Sequence, residues 1–218
     1  MSANGLETEV KFYVHDLEKI KSRLEEMKAQ LIQERVLEIN IRFDLPGAPL
    51  RAQGRVLRLR RDTSTKFTYK SASTKKQGVL SREEIEFGVE DFEKAKRFLE
   101  ALGYQKLVYY EKYRTTYELP ETSEVFAKRR DLGGLVQVML DELPYGDFVE
   151  IEGGTIDAIR AIADQLHLNW NIAIAASYNA LFERARTNMN LVLQDLSFAE
   201  FSNIHVNAAD LNVHAADA

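Results

Sequence analysis

The chain has 218 residues, 45% hydrophobic and 29% charged, which fits one sizeable folded unit and excludes a disordered or fibrous chain. A net charge of −5 gives no overall bias toward nucleic acid or anionic membrane, and the lack of cysteine excludes disulfides, thiolate nucleophiles and cysteine-ligated zinc. The opening Met1-Ser2-Ala3-Asn4-Gly5 has no basic or apolar signal region, and the longest apolar-leaning stretch, Trp170 to Phe182, is too short and too interrupted to cross a bilayer, so a cytoplasmic location is expected.

In chain order, residues 6–14 alternate with period two, placing Glu7, Glu9 and Lys11 on one face of a strand and Val10, Phe12 and Val14 on the other. Asp16 is placed to cap an amphipathic helix running to Gln33, with Leu17, Ile20, Leu24, Met27 and Leu31 spaced by three and four. Strands are then expected at 36–44, 55–61, 65–71 and 81–88, separated by turn-like Pro46-Gly47, Asp62 to Ser64 and Ser73 to Gly78. A second helix covers Glu90 to Leu102, with Phe92, Ala95, Leu99 and Leu102 on one face and Gly103 to stop it. Strands at 105–118, 124–130, 135–141 and 147–152 follow, with turns at Leu119-Pro120-Glu121, Gly133-Gly134 and Pro144-Tyr145-Gly146. A third helix runs from Thr155 to Leu166, and a fourth starts near Ser177. Residues 188–218 are poor in charge and read as an extension appended to a domain spanning 1–187; it could pack on its own domain or on a partner subunit, or its last ten residues could be disordered.

Charge and apolar character separate on the later strands too. Arg58 and Arg60 stand against Leu57 and Leu59, Lys66, Thr68 and Lys70 against Phe67 and Tyr69, and Arg82, Glu84 and Glu86 against Ile85 and Phe87. Lys112 and Arg114 flank Tyr113, Asp141 opposes Val138 and Leu140, and Glu150 and Glu152 oppose Val149 and Ile151. Any one such face reads as solvated. Together they say more, because three amphipathic helices need an apolar surface and the sheet offers one. The expected fold is therefore α+β: a closed eight-stranded antiparallel β-barrel with helices packed outside and charge inside. Dry, such an interior would be untenable, since an unpaired buried ion costs several kcal/mol. Arginine and lysine offer directed donors to phosphate, and clustered carboxylates hold a metal that phosphate also binds.

The ordered series Glu7-Thr8-Glu9-Val10-Lys11 (ExExK), Arg58 and Arg60 (RxR), Thr68 and Lys70 (TxK), Arg82, Glu84 and Glu86 (RxExE), Lys112 and Arg114 (KxR), and Leu140-Asp141-Glu142-Leu143 to Phe148-Val149-Glu150-Ile151-Glu152 resembles the CYTH superfamily, the triphosphate tunnel metalloenzymes, over residues 6–182. That resemblance implies an eight-stranded tunnel, with Glu7, Glu9, Asp141, Glu150 and Glu152 on the metal side and Lys11, Arg58, Arg60, Lys70, Lys112 and Arg114 on the triphosphate. Arg82 is assigned to the substrate as well, while Glu84, Glu86 and Arg42 are possible supporting residues. The segment Asn40 to Pro46 and Ser177-Tyr178 with Leu181 look like the cyclase-type branch, whereas Arg42 departs from the Tyr that many members carry.

The resemblance implies Mg²⁺ or Mn²⁺ as cofactor and ATP, tripolyphosphate or thiamine triphosphate as small-molecule partner. A triphosphate phosphohydrolase is the first reading, with Lys112 as candidate helper in deprotonating the nucleophile. A class IV adenylate cyclase making cyclic AMP and pyrophosphate, and a non-catalytic triphosphate or polyphosphate sensor, are the alternatives. No nucleic-acid or membrane partner is expected, and a homodimer is open. His15, His167, His205 and His214 have no metal-ligand spacing, the paired glycines lack a P-loop's lysine, and Lys128-Arg129-Arg130 reads as a solvated strand end.

Overall fold

The computed structural model describes the backbone of residues 6–76, 79–119 and 135–218 and the side chains of 8–74, 81–119 and 135–218. The strand expected at 124–130, the turns at Leu119-Pro120-Glu121 and Gly133-Gly134 and the Lys128-Arg129-Arg130 cluster lie wholly or partly outside these residues.

The described elements run β1 (Leu6–Val14), α1 (Leu17–Glu26), β2 (Gln30–Asp44), α2 (Pro49–Ala52), β3 (Val56–Arg61), β4 (Thr65–Lys70), β5 (Thr74–Lys76) and β6 (Val79–Val89). They continue with α3 (Phe92–Ala101), β7 (Gln105–Leu119), β8 (Val136–Leu143), β9 (Gly146–Glu152), α4 (Ile156–Gln165), a 3-10 turn (Trp170–Ile172) and α5 (Tyr178–Met189). All described strand pairs are antiparallel, in the order β1-β9-β8-β7-β2-β3-β4-β6, and β6 pairs again with β1. Eight strands thus form a ring, and short β5 pairs with β6. With helices around it, this is the α+β antiparallel arrangement expected from the alternation of charge.

Each long helix starts on an expected kind of cap: Asp16, Asp91, Thr155 and Ser177 side chains accept the backbone N–H three residues on. The first helix, however, stops at Glu26 rather than Gln33. Lys28 turns left-handed at φ 57°, and Leu31, read from the sequence as the end of the helical stripe, lies 49% exposed on β2. Long-range pairing overrides the local spacing here, because β2 pairs with β7 from Gln30 to Asp44, with three register shifts along the way. The segment 74–76, read as turn, is strand β5.

The apolar faces point outward and are covered. Val10, Phe12 and Val14 of β1 and Val149 and Ile151 of β9 pack against Ile20 and Leu24 of α1 and Ile159 and Ile162 of α4. Ile41, Phe43 and Leu59 pack under Phe92, Ala95 and Leu99 of α3. A third cluster joins Val108, Leu143 and Phe148 to Leu181, Phe182 and Ala185 of α5 and to Leu196, Phe201, Leu211 and Val213 beyond it. The segment after α5 is therefore packed core. Its end is fastened to the start of the chain: Ala216 N–H donates to the Tyr13 carbonyl at 2.9 Å, and the Asp217 carboxylate accepts from the His15 and Asp16 N–H groups at 3.0 Å. The outer face of β6 is less covered, with Ile85 51% and Phe87 56% exposed.

One tight turn fixes the hairpin between β8 and β9. Gly146 sits at φ +136°, and a Cβ there would meet the Tyr13 ring at 2.8 Å, so no other residue fits without displacing Tyr13.

Candidate functional site

With the apolar residues turned out, the period-two alternation sends the charged ones in. They converge on a cavity of ≈ 460 Å³. Nine basic and seven acidic residues line it, so the described lining carries a cationic excess.

On β1 and β9 the Lys11 ammonium lies 2.7 Å from Glu9 and 3.0 Å from Glu150, with the lysine only 4% exposed. Burial pulls this ammonium down, but Glu150 and Glu9 together hold it above the ordinary lysine range. Glu150 is matched on its other side by Arg114 at 3.2 Å; burial pushes its carboxyl up, and Lys11, Arg114 and Lys112 hold it well below the usual carboxylate range. Glu152 lines the cavity and stands opposite Glu9 in the β1–β9 register. Glu7 pairs through its backbone with Arg82, and its side chain lies outside the described residues. Arg82 reaches Glu9 at 3.7 Å.

Asp141 on β8 is fully buried behind the lining. It accepts from Arg114 Nε at 2.6 Å and Nη2 at 2.5 Å, from Lys112 Nζ at 3.1 Å and from the Tyr178 hydroxyl at 2.7 Å. Tyr178 opens α5, and its ring lies under the ammonium groups of Lys112 and Lys11 at 5.1 and 5.3 Å. Its own carbonyl accepts from Tyr145 at 2.9 Å, so the hairpin of β8 and β9 and the N-terminus of α5 jointly fix this cluster.

Across the ring, Glu86 on β6 gathers Lys66 at 2.9 Å, Arg60 at 3.5 Å, Arg58 at 3.9 Å and the Thr68 hydroxyl at 3.0 Å. Lys70 pairs with Glu84 at 3.2 Å. The cross-strand registers Arg58 with Thr68 and Thr68 with Glu86, and Lys70 with Glu84, account for these contacts.

Sequence reasoning missed Glu38. It is 1% exposed on β2, 3.6 Å from Lys112 and 3.8 Å from Arg60, and takes a 3.0 Å hydrogen bond from the Asn40 amide. Burial pushes its carboxyl up, but Lys112, Arg114, Arg60 and Arg58 hold it below the usual range. Its signal was the same alternation, since Glu38, Asn40 and Arg42 share one face of β2. Tyr178 had been noted only as a resemblance to one branch; its use is to hold Asp141.

The donor chemistry suits a hard divalent cation. Glu9 and Glu150, from neighbouring strands, already converge on one cation, the Lys11 ammonium, and Glu152 stands beside Glu9. Among the described residues no group of three or more His, Cys, Asp and Glu is arranged to hold an ion by protein ligands alone. Mg²⁺ commonly needs no such cage, since one or two carboxylates and substrate phosphates suffice. The four histidines are all exposed.

No helix among the described residues is long and apolar enough to cross a membrane. No curated protein matches the chain. Solved structures do. One is a candidate adenylate cyclase of Vibrio parahaemolyticus, with 19% identity, TM-score 0.69, and 83% of this chain and 99% of that one covered. Another is a protein of Pyrococcus horikoshii OT3, with 25% identity, TM-score 0.60, and 79% and 96% covered. A third is a Hippeastrum protein, a candidate adenylyl cyclase described as having a dominant triphosphatase activity, with 16% identity, TM-score 0.56, and 81% and 95% covered. The family model for the CYTH domain matches residues 5–170, and the chain belongs to the CYTH family.

Proposed function

We propose that the ring is a closed tunnel that binds a triphosphate together with Mg²⁺ or Mn²⁺, and that the protein is a triphosphate phosphohydrolase. The observation that carries this reading is the makeup of the interior: among the described residues nine cations and seven carboxylates line one cavity, and only Ile32, Val56 and Met139 of that lining are aliphatic. A core serving stability alone gains nothing from such a lining, because packed hydrophobic residues often replace buried ion pairs without loss. A nucleobase would favour a mostly apolar slot, which this lining does not supply.

In this reading Lys11, Arg58, Arg60, Lys70, Arg82, Lys112 and Arg114 contact phosphate oxygens, the arginines through their planar forks. Glu9, Glu150 and Glu152 line the cavity and would hold the ion, joined by Glu7 only as the sequence resemblance implies; when bound, the ion would supply Lewis-acid polarisation of phosphoryl oxygens. Asp141 is fully engaged by Arg114, Lys112 and Tyr178, which supports a positioning role rather than the metal-side role that the family resemblance implies. Lys112, gripped by Asp141 and Glu38, acts as a fixed positive charge. Phosphoryl transfer requires charge neutralisation on the transferring group and an aligned water, and cations already held by carboxylates meet the first need with little reorganisation.

The test is incubation of the pure protein with tripolyphosphate, ATP or thiamine triphosphate plus Mg²⁺ or Mn²⁺, with phosphate, pyrophosphate and cyclic AMP all quantified. Phosphate release is expected. Cyclic AMP with pyrophosphate would replace the hydrolase by a cyclase, and metal-dependent binding without product would leave a sensor. Glu9→Ala or Glu152→Ala is expected to abolish metal-dependent turnover with an unchanged circular-dichroism spectrum; full retained activity contradicts the metal assignment.

A further inference from the structure

We propose that Arg42 and Arg58 form an anion subsite at their end of the cavity, built to grip a phosphoryl group of an oligophosphate, with Arg42 setting the affinity. The inference rests on the triphosphate reading and adds to it a residue that the family pattern does not supply.

Nearly every cation in the cavity has a carboxylate. Lys11 has Glu9 and Glu150, Arg60 has Glu38, Asp62 and Glu86, and Arg114 has Asp141 and Glu150. Arg42 lines the same cavity, yet among the described residues no hydrogen bond or ion pair reaches its guanidinium. Its direct cross-strand partner in the β2–β3 register is another arginine, Arg58. Like charges directly opposite each other destabilise a sheet. Burial, with Arg82, Arg51 and Arg58 nearby, pulls the Arg42 guanidinium below the ordinary arginine range, and Tyr110 offsets this only in part. Arg58 is better supplied, donating to the Tyr110 hydroxyl at 3.4 Å and the Thr68 hydroxyl at 3.2 Å. Burial pulls its guanidinium down, but Tyr110, Glu38 and Glu84 hold it above the ordinary arginine range. Still, its nearest carboxylate among the described residues, Glu86, is at 3.9 Å, and its buried Nε has no acceptor. Among the described residues, then, the Arg42 guanidinium and Arg58 Nε are donors without a protein acceptor.

A structural arginine would be expected to hold an acceptor. One held in place against a like charge, facing a cavity, is explained by an anion that fills the gap. Phosphoryl oxygens suit it, since they accept from several guanidinium N–H groups at once.

The experiment compares calorimetric binding of inorganic tripolyphosphate with Mg²⁺, and ligand-free melting, for wild type, Arg42→Gln and Arg42→Lys. Arg42→Gln is expected to weaken binding about 10–100-fold, as loss of a charge-assisted contact does. Arg42→Lys should weaken it less. Ligand-free Arg42→Gln should melt at or above the wild-type temperature, which a structural role would not allow. Tight binding by wild type and Arg42→Gln alike would overturn this subsite and leave the triphosphate reading standing. A lowered ligand-free melting temperature would reassign Arg42 to structure, and failure of the wild type to bind would remove both proposals.

Discussion

At the scale of single residues the interior is a set of matched charges, and the matching can be broken one group at a time. Asp141→Asn removes the carboxylate shared by Arg114, Lys112 and Tyr178, leaving cations buried without their counter-charge. It is expected to cost about 3–5 kcal/mol in urea unfolding; a loss below about 1 kcal/mol would show that the cluster is readily rearranged. Asp147 lies outside that network. Burial, and Glu142 across the β8–β9 register, push its carboxyl from 3.8 up to about 6. Between those values the folded chain holds a proton that the unfolded chain has released, so stability falls as pH rises through this window. Discounted for its partial exposure, the effect is about 1 kcal/mol, or ~2–4 °C for a chain of this size. Asp147→Asn is therefore expected to raise the melting temperature at pH 7 by that amount and to flatten the decline between pH 4 and 6; an unchanged profile would contradict the assignment. Most inward residues were legible in the sequence because alternation of charge names them. Glu38 carries that signal too, since it shares one face of β2 with Asn40 and Arg42. The partnering of Asp141 with Tyr178 was not legible, since it joins a strand to a helix 37 residues away.

At the scale of elements the helices and the segment after α5 share one task, covering the outward apolar faces. Helices were legible through their caps and their spacing of three and four, and one was overread where Leu31 continued the spacing by chance. Residues 191–216 were harder. They carry Leu196, Phe201, Leu211 and Val213 into the core by turns and single bridges, which leave no periodicity in the sequence. Leu211, fully buried, and Val192, 97% exposed, separate packing from mere presence in this segment. Leu211→Ala is expected to cost about 2–5 kcal/mol, and Val192→Ala within about 0.5 kcal/mol of nothing. Equal effects in a denaturant titration would mean that the segment does not belong to the cooperative unit.

At the scale of the whole molecule the sheet is turned inside out relative to an ordinary antiparallel sandwich, with grease outside under helices and ions within. The sequence held this inversion in three amphipathic helices and one apolar sheet face, whereas the return of β6 to β1 could not be read locally, because it joins Leu6–Glu9 to Leu80–Glu83. Removing one cation that lines the interior tests the site by turnover. Arg60→Gln is expected to lower kcat about 10²-fold on tripolyphosphate, while unaltered kcat would exclude Arg60 from the reacting end. The most direct measurement is a crystal structure of the protein grown with tripolyphosphate and Mn²⁺. The anion is expected inside the ring, its oxygens against Lys11, Arg58, Arg60 and Arg114, with metal density beside Glu9 and Glu150. Tripolyphosphate seated only on the outer surface, with the interior ion pairs unchanged, would contradict the central claim.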